Sequence, residues 1–299
     1  MTDIKQEVQN FYDQVGWELV SEDIYQNARF EDLRPVSRQY IHDCHMRINR
    51  YLKPEGSFLL DAGSGPVQYP EYLEYSSGYR YRVCVDISIK AVLEARKRID
   101  KLGLYVVADI ANLPFKPGSF DGVVSLHTIH HLPEEEHLQA YCELYRVLAN
   151  SSSAVIVNSW PESRLLRLFE PLVRGAYFLR HMLFRLEGHE PIPPEDSVNG
   201  AEESPLNPYR RRKTKAPKGT FTSRHEVEWI KSEVGSLMPV EILVWRSVSV
   251  RFLRALIHPK LGGRAWLRLL FWLEERFPHF FGENGKYPLI VINKPLKKE

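Results

Sequence analysis

The chain is poor in cysteine, with three in 299 residues, Cys44, Cys84 and Cys142, set far apart. A disulfide framework or a C-x-x-C metal knuckle needs more of them and closer together, so they read as reduced thiols. Long apolar runs are also lacking. The longest, such as residues 269–273, reach about five residues, against the roughly 18 that a bilayer-crossing helix requires. The first ten residues, MTDIKQEVQN, do not follow the cationic-then-apolar layout of a secretion signal. A soluble, cytoplasmic protein is the expectation. No segment repeats another. What is present is an ordinary globular balance, 43% apolar and 26% charged, which excludes a disordered chain and allows a sizeable core. The net charge of +2 conceals an asymmetry: residues 1–160 hold 16 Lys/Arg against 22 Asp/Glu, net −6, and residues 161–299 hold 24 against 16, net +8. The two halves are expected to do different jobs.

Helical spacing of Val8, Phe11, Tyr12 and Val15 predicts an N-terminal helix, and a second is expected over residues 35–52. The period then changes. Short β-branched runs at 58–60, 81–85, 104–107, 122–126 and 154–158 alternate with helical stretches such as 89–102 and 133–148, which predicts a parallel sheet covered on both faces. Two further strands are read at 240–245 and 289–292. About 80 residues precede the sixth strand and about 43 the seventh, far more than ordinary connections. The first gap holds an amphipathic stretch, 164–186, interrupted by Pro171 and Gly175, then a Pro-rich segment, 190–219, with a basic run from Arg210 to Lys215. Ser223-Arg-His-Glu226 has the spacing of a capping box. The expected division is a helical cap (1–57), a core (58–158), a lid insertion with a mobile basic loop (159–239), and the last two core strands with a second helical insertion (240–299).

The most informative local pattern is Phe58-Leu-Leu-Asp61-Ala-Gly63-Ser64-Gly65, a buried strand entering a glycine turn where a ligand can approach the backbone. The next strand ends in Asp86 followed by Ile87, where a carboxylate can accept from ribose hydroxyls, and the third ends in Asp109 followed by Ile110. A nicotinamide dinucleotide and S-adenosylmethionine both suit the first two features. Gln68 stands where a dinucleotide fingerprint has its third glycine, and the charge of Asp61 would repel a pyrophosphate but attract an ammonium group. Singly, each of these residues is as readily a turn or helix cap. Asp121 is read as closing a turn away from the ligand.

Together, Asp61-Ala-Gly-Ser-Gly65, Asp86, Ala108-Asp109 with Leu113-Pro-Phe115, and Ser119-Phe-Asp121-Gly-Val-Val-Ser125 with His127-Thr-Ile-His130-His131-Leu-Pro133 resemble a class I S-adenosylmethionine-dependent methyltransferase. The closest likeness is to the type 11, ubiquinone-biosynthesis-like small-molecule group, over residues 55–160. The resemblance implies a doubly wound, seven-stranded Rossmann-like α/β sheet with an antiparallel last strand, and S-adenosylmethionine as cofactor with S-adenosylhomocysteine as product. It implies that Asp61, Gly63, Ser64 and Gly65 line the methionine end, Asp86 and Ile87 the ribose, and Asp109 and Ile110 the adenine. Val67 stands where many relatives have another glycine.

Methyl transfer is an in-line displacement that needs alignment and, for a hydroxyl acceptor, removal of a proton. His127 and His131 are the candidates for that proton, with His127 also near the cofactor and His130 near the substrate; each is equally readable as packing beneath a loop. Phe11-Tyr12-Asp13 resembles a stretch that folds over the cofactor in related enzymes, and Tyr12 would set a ring over the sulfonium. Trp17 is read as core. Tyr25, Arg34 and Arg38 are substrate candidates, the arginines otherwise solvated. Both insertions should leave the ligand face and form a lid with arginines beside apolar residues, 164–186 and 265–277. The expected function is methylation of a bulky apolar or anionic small molecule, at oxygen. The alternatives are a membrane-associated lipid or quinone acceptor reached by peripheral membrane contact, a non-catalytic cofactor-binding scaffold, and RNA methylation supported by the Arg210–Lys215 run alone. No DNA partner or metal is expected.

Overall fold

A computed structural model describes residues 2–21, 24–25, 31–186 and 220–296. Helix α1 (Asp3–Phe11) runs into a π-helical turn, Tyr12–Gly16, followed by the antiparallel pair β1 (Leu19–Ser21) and β2 (Ile24–Tyr25) and by α2 (Arg38–Met46). The core then alternates: β3 (Gly56–Ala62), α3 (Pro70–Glu74), β4 (Tyr79–Asp86), α4 (Ile89–Ile99), β5 (Gly103–Val107), β6 (Gly122–Leu126), α5 (His137–Val147) and β7 (Ser152–Val157). The first insertion contains α6 (Arg164–Leu186), α7 (Val227–Trp229) and α8 (Gly235–Leu237), and leads to β8 (Val240–Arg246). The second contains α9 (Val250–Leu256), α10 (Gly263–Arg276) and α11 (Pro278–Asn284), and leads to β9 (Tyr287–Lys294).

Seven strands form one sheet in the order β5-β4-β3-β6-β7-β9-β8. Only β9 runs against the others, inserted between β7 and β8. Alternate side chains feed the two faces. Leu60, Val83, Val123 and Ile156 pack under α5 with Tyr141 and Leu144, while Leu59, Cys84, Val124 and Leu243 pack under Ile48, Tyr72 and Tyr75. A third cluster joins α2 to the second insertion through Tyr40, Ile41, Leu253 and Leu267, with Leu166 of α6 at its border.

Two local expectations are corrected. Helix α6 is continuous through Pro171 and Gly175, because the proline ring sits on an exposed side where the lost backbone bond is met by solvent. Ser223 does not cap a helix. Its N–H donates to the His130 carbonyl at 2.8 Å and its hydroxyl to Glu134 at 3.1 Å, and α7 begins after Glu226. In α6 the side of Leu168, Leu172 and Leu179 is exposed, and Val173 is the buried contact. The Arg210–Lys215 run lies outside the described residues.

Candidate active site

The C-terminal ends of β3, β4, β5, β6 and β8 share one edge, where open α/β sheets bind ligands. After Ala62 the chain turns through Gly63 and Gly65, at φ +76° and +53°, a region that favours glycine. A Cβ on Gly63 would lie 2.1 Å from the Thr128 methyl, and one on Gly65 would lie 3.0 Å from the Trp17 ring. The N–H groups of Gly63 and Ser64 donate to the Val85 carbonyl at 2.7 and 3.0 Å, and the buried Ser64 hydroxyl to the Gly65 carbonyl at 3.1 Å. Val67 also has a positive φ, 54°, and is fully buried.

The three strand-end acids differ in how free they are. Asp86 is buried and accepts from the N–H of Gly65 and of Ser88, each at 2.9 Å. Burial pushes its carboxyl up to about 6, against the pull of those two bonds. Each carboxylate oxygen has a second lone pair, so Asp86 retains acceptor capacity suited to a vicinal diol. Ile87 beside it is half-buried, its carbonyl accepting from Gln9 at 3.0 Å. Asp61 is already paired: Arg82 donates through Nη2 at 2.5 Å and Nε at 3.1 Å, with both residues buried. The expected attraction of a bare Asp61 charge for an ammonium group is therefore corrected to that of a neutralised pair. Asp109 accepts from Ala111 N–H at 2.9 Å and from the Lys5 ammonium, which also binds Glu136. The side chain of Ile110 belongs to the core beneath α5.

The N-terminal segment closes over this edge. Trp17 stacks on Tyr12 with centroids 5.0 Å apart and lies against Gly65, with its indole N–H buried and unpartnered. It is thus a wall of the glycine turn rather than core alone. Asp13 accepts from the Ser88 hydroxyl at 2.5 Å. Tyr25 packs edge-to-face on Trp17 at 6.2 Å, on the α4 side of the glycine turn, where its hydroxyl meets Glu94 at 3.4 Å and Arg98 covers its ring.

The histidines separate by their bonds. His131 Nδ1 is 2.8 Å from the Phe221 carbonyl and Nε2 is 2.8 Å from the Tyr12 hydroxyl. A carbonyl only accepts, so Nδ1 carries the proton and Nε2 accepts from Tyr12. Both nitrogens are engaged, and burial holds the ring down at about 4, so His131 ties the cap to the first insertion and is not an open base. His130 is buried with Nδ1 unpartnered, its basicity depressed by burial and the neighbouring histidines. His127 follows β6 at φ +56°, strained for a non-glycine residue. Its ring centroid lies 5.1 Å from Trp245 and 5.7 Å from Tyr287, and burial, with Arg246, lowers it to about 3, so it is neutral at pH 7.

Arg34 and Arg38 do not come to the site. Arg34 grips Asp32 through two 2.8 Å bonds and donates to the Leu253 and Ile257 carbonyls at 2.8 and 3.1 Å, while Arg38 is exposed in the first turn of α2. Unforeseen in the sequence is Arg246, which ends β8 and is buried between the rings of Trp245 and Tyr287, 5.0 and 4.6 Å from its guanidinium carbon. It pairs with Glu31, and its Nε has no partner. Burial pushes the Glu31 carboxyl up, but Arg246 and His45 bring it down to about 2. His45 stacks on Trp245 at 5.2 Å and faces Glu31 and Glu71 at 3.6 and 3.8 Å. A charged residue directly after the apolar run 242–245, on the ligand edge, was the available sign.

Residues 60–156 match the protein family described as "Methyltransferase domain". The chain is 34% identical over 122 residues to the 18S rRNA (guanine-N(7))-methyltransferase of Mus musculus, covering 37% of this chain and 42% of that protein. It is 32% identical over 154 residues to the probable tRNA methyltransferase 9B of Mus musculus, covering 49% of this chain and 31% of that protein. Both matches span less than half of the curated relative. Among solved structures, the phosphoethanolamine N-methyltransferase 2 of Haemonchus contortus in complex with S-adenosyl-L-methionine has a TM-score of 0.52 at 14% identity, covering 99% of this chain and 60% of that one. That likeness is one of fold.

Proposed function

We propose that the chain, through a class I S-adenosylmethionine-dependent methyltransferase domain matched over residues 60–156, moves the methyl group of S-adenosylmethionine onto a small-molecule oxygen by direct in-line displacement, releasing S-adenosylhomocysteine. Asp86 carries this reading. Its buried carboxylate, fixed by Gly65 and Ser88, has two lone pairs left for a ribose diol beside a glycine turn that admits the methionine end. Asp109 would serve the adenine amine once Lys5 withdraws from it. Titration calorimetry with S-adenosylhomocysteine and with NAD tests the reading. S-adenosylhomocysteine is expected to bind, Asp86→Ala to weaken it by roughly tenfold to a hundredfold, and affinity to fall below about pH 6 as Asp86 takes up a proton. Binding of NAD alone would sink the proposal.

The acceptor end supports a flat, apolar molecule with a hydrogen-bond acceptor. Trp245 and Tyr287 supply aromatic walls, and Arg246, neutralised by Glu31, offers its unpartnered Nε as a donor. His127, neutral and half-buried among them, is the candidate proton acceptor, and its low basicity favours an acceptor hydroxyl that is itself acidic. His127→Ala is expected to reduce turnover without changing cofactor affinity.

RNA methylation is the second reading, favoured by the printed names of the two curated relatives. Those alignments leave at least half of this chain unmatched. Labelled cofactor incubated separately with total RNA and with metabolite extract distinguishes the two: label in RNA overturns the small-molecule reading, and binding without any transfer overturns both in favour of a scaffold.

A further inference from the structure

We propose that the outer face of α10 docks the protein on the surface of an anionic phospholipid bilayer. The helix is inverted relative to an ordinary surface helix, whose free side carries acids and lysines. Both of its acids are engaged by arginines, one of them buried. Glu274 is fully buried, accepting from the Tyr40 hydroxyl at 2.8 Å and the Ser247 N–H at 2.9 Å and pairing with Arg47 at 2.9 Å; Glu275 pairs with Arg47 and Arg50. Turned outward instead are Trp266, Leu269 and Trp272, which are 62%, 45% and 59% exposed. Interleaved with them are Arg264 and Arg268, exposed and without a carboxylate partner among the described residues, and Arg276, which covers the Phe277 ring.

Two exposed indoles at i and i+6, with a leucine between them, form an apolar stripe that water does not reward. Arginines without counter-charges are suited to lipid phosphates, and indoles to the headgroup level of a bilayer. Charge argues against the simplest alternative. A two-fold dimer through this face would set the arginines against one another with no acid between them. Nor does the stripe look like a nucleic-acid groove, since apolar side chains occupy its centre. Among the described residues no helix is long and apolar enough to cross a membrane, so the contact lies on the surface. Helix α6 also exposes apolar residues, Leu168 and Leu172 at 75% and 60%, but its Arg164, Arg167 and Arg174 are paired with acids, so α10 alone carries the proposal.

The inner side of α10 leads to the acceptor wall: Arg47, held by Glu274, donates to the Trp245 carbonyl at 2.6 Å. A bilayer under α10 would thus lie near the route of an amphiphilic acceptor. That use of the contact rests on the methyltransferase reading, whereas the contact itself does not, and the test reads binding only. The full chain is sedimented with phosphatidylcholine vesicles, with and without phosphatidylserine, and tryptophan emission is followed. Expected are binding that requires phosphatidylserine, a blue shift, and weakening by salt. Trp266→Ala with Trp272→Ala should raise the apparent dissociation constant by on the order of tenfold, and Arg264→Gln with Arg268→Gln should weaken binding to the anionic vesicles. Unchanged thermal melting shows that these exposed substitutions leave the fold intact. No binding to anionic vesicles, or binding unaffected by both variants, overturns the proposal. So does a salt-resistant dimer, or retention on RNA, that is lost in the tryptophan variant.

Discussion

Val67 shows what one backbone angle costs. A β-branched residue in the left-handed region costs about 1–2 kcal/mol, and here it is retained because the side chain is fully buried in the layer that also holds Tyr72 and Val124. Val67→Ala removes two buried methyl groups, about 2 kcal/mol, and keeps most of the strain. Val67→Gly removes slightly more side chain but relieves the angle. The ordinary penalty of about 1 kcal/mol for glycine relative to alanine is therefore expected to vanish or reverse. Denaturant midpoints of the two variants check this, and a glycine variant clearly less stable than the alanine one would refute the strain. The acids at the strand ends carry a similar lesson. Asp61 and Asp86 occupy analogous positions in sequence, yet one is neutralised by Arg82 and the other is held only by backbone N–H groups.

At the scale of elements, α1 and its π-helical turn act as a latch on the cofactor edge. Lys5 binds Asp109 and Glu136, Tyr12 binds His131, and Asp13 binds Ser88. Burial lowers the Lys5 basicity, but the two carboxylates more than restore it, so the ammonium stays charged at Asp109. An adenine amine approaching Asp109 must compete with it. Lys5→Met is expected to tighten S-adenosylhomocysteine binding by about twofold to fivefold, the scale of a partly exposed ion pair, and to make α1 more susceptible to proteolysis in the free protein. Weaker binding in calorimetry would show instead that Lys5 supports the ligand. The strands were legible because runs such as Val83–Val85 and Ala154–Val157 are buried on both faces, and the glycine turn because Gly63 and Gly65 must take positive φ. The latch was only partly legible. Phe11-Tyr12-Asp13 indicated a cover, but nothing local pairs Lys5 with Asp109, 104 positions away. The same limit hid the bonds of His131 to Tyr12 and Phe221, since a histidine motif does not reveal which nitrogens are already engaged.

Across the whole molecule, most described ion pairs lie within one half of the chain, and a few buried ones join the two. Glu31 binds Arg246 across 215 positions, and Arg47 binds Glu274 and Glu275, so the N-terminal cap is tied to the last strands through buried ion pairs. Their effect on stability has a definite pH window. The carboxyl of Glu31, lowered to about 2, adds stability that is fully present above its ordinary value of about 4.3 and is lost as pH falls through about 2. For His45, burial lowers the basicity but Glu31 and Glu71 raise it further, so its contribution is present below about 6.5 and is lost as pH rises through the folded value. The stability that this cluster adds is therefore expected to be greatest between about pH 5 and 6.5 and to decline on both sides. In Glu31→Gln, Arg246 is left buried without its carboxylate, which should cost on the order of 3 kcal/mol at the optimum and shrink both limbs of the profile. Adding Arg246→Met removes the stranded cation and should recover part of the loss, because desolvation rather than packing is the cost. Melting temperatures of the three proteins from about pH 2 to 8 decide the matter: a wild-type advantage over Glu31→Gln that does not shrink below about pH 4, or a double variant no more stable than the single one, would break the link between this buried pair and the closure of the cap on the sheet.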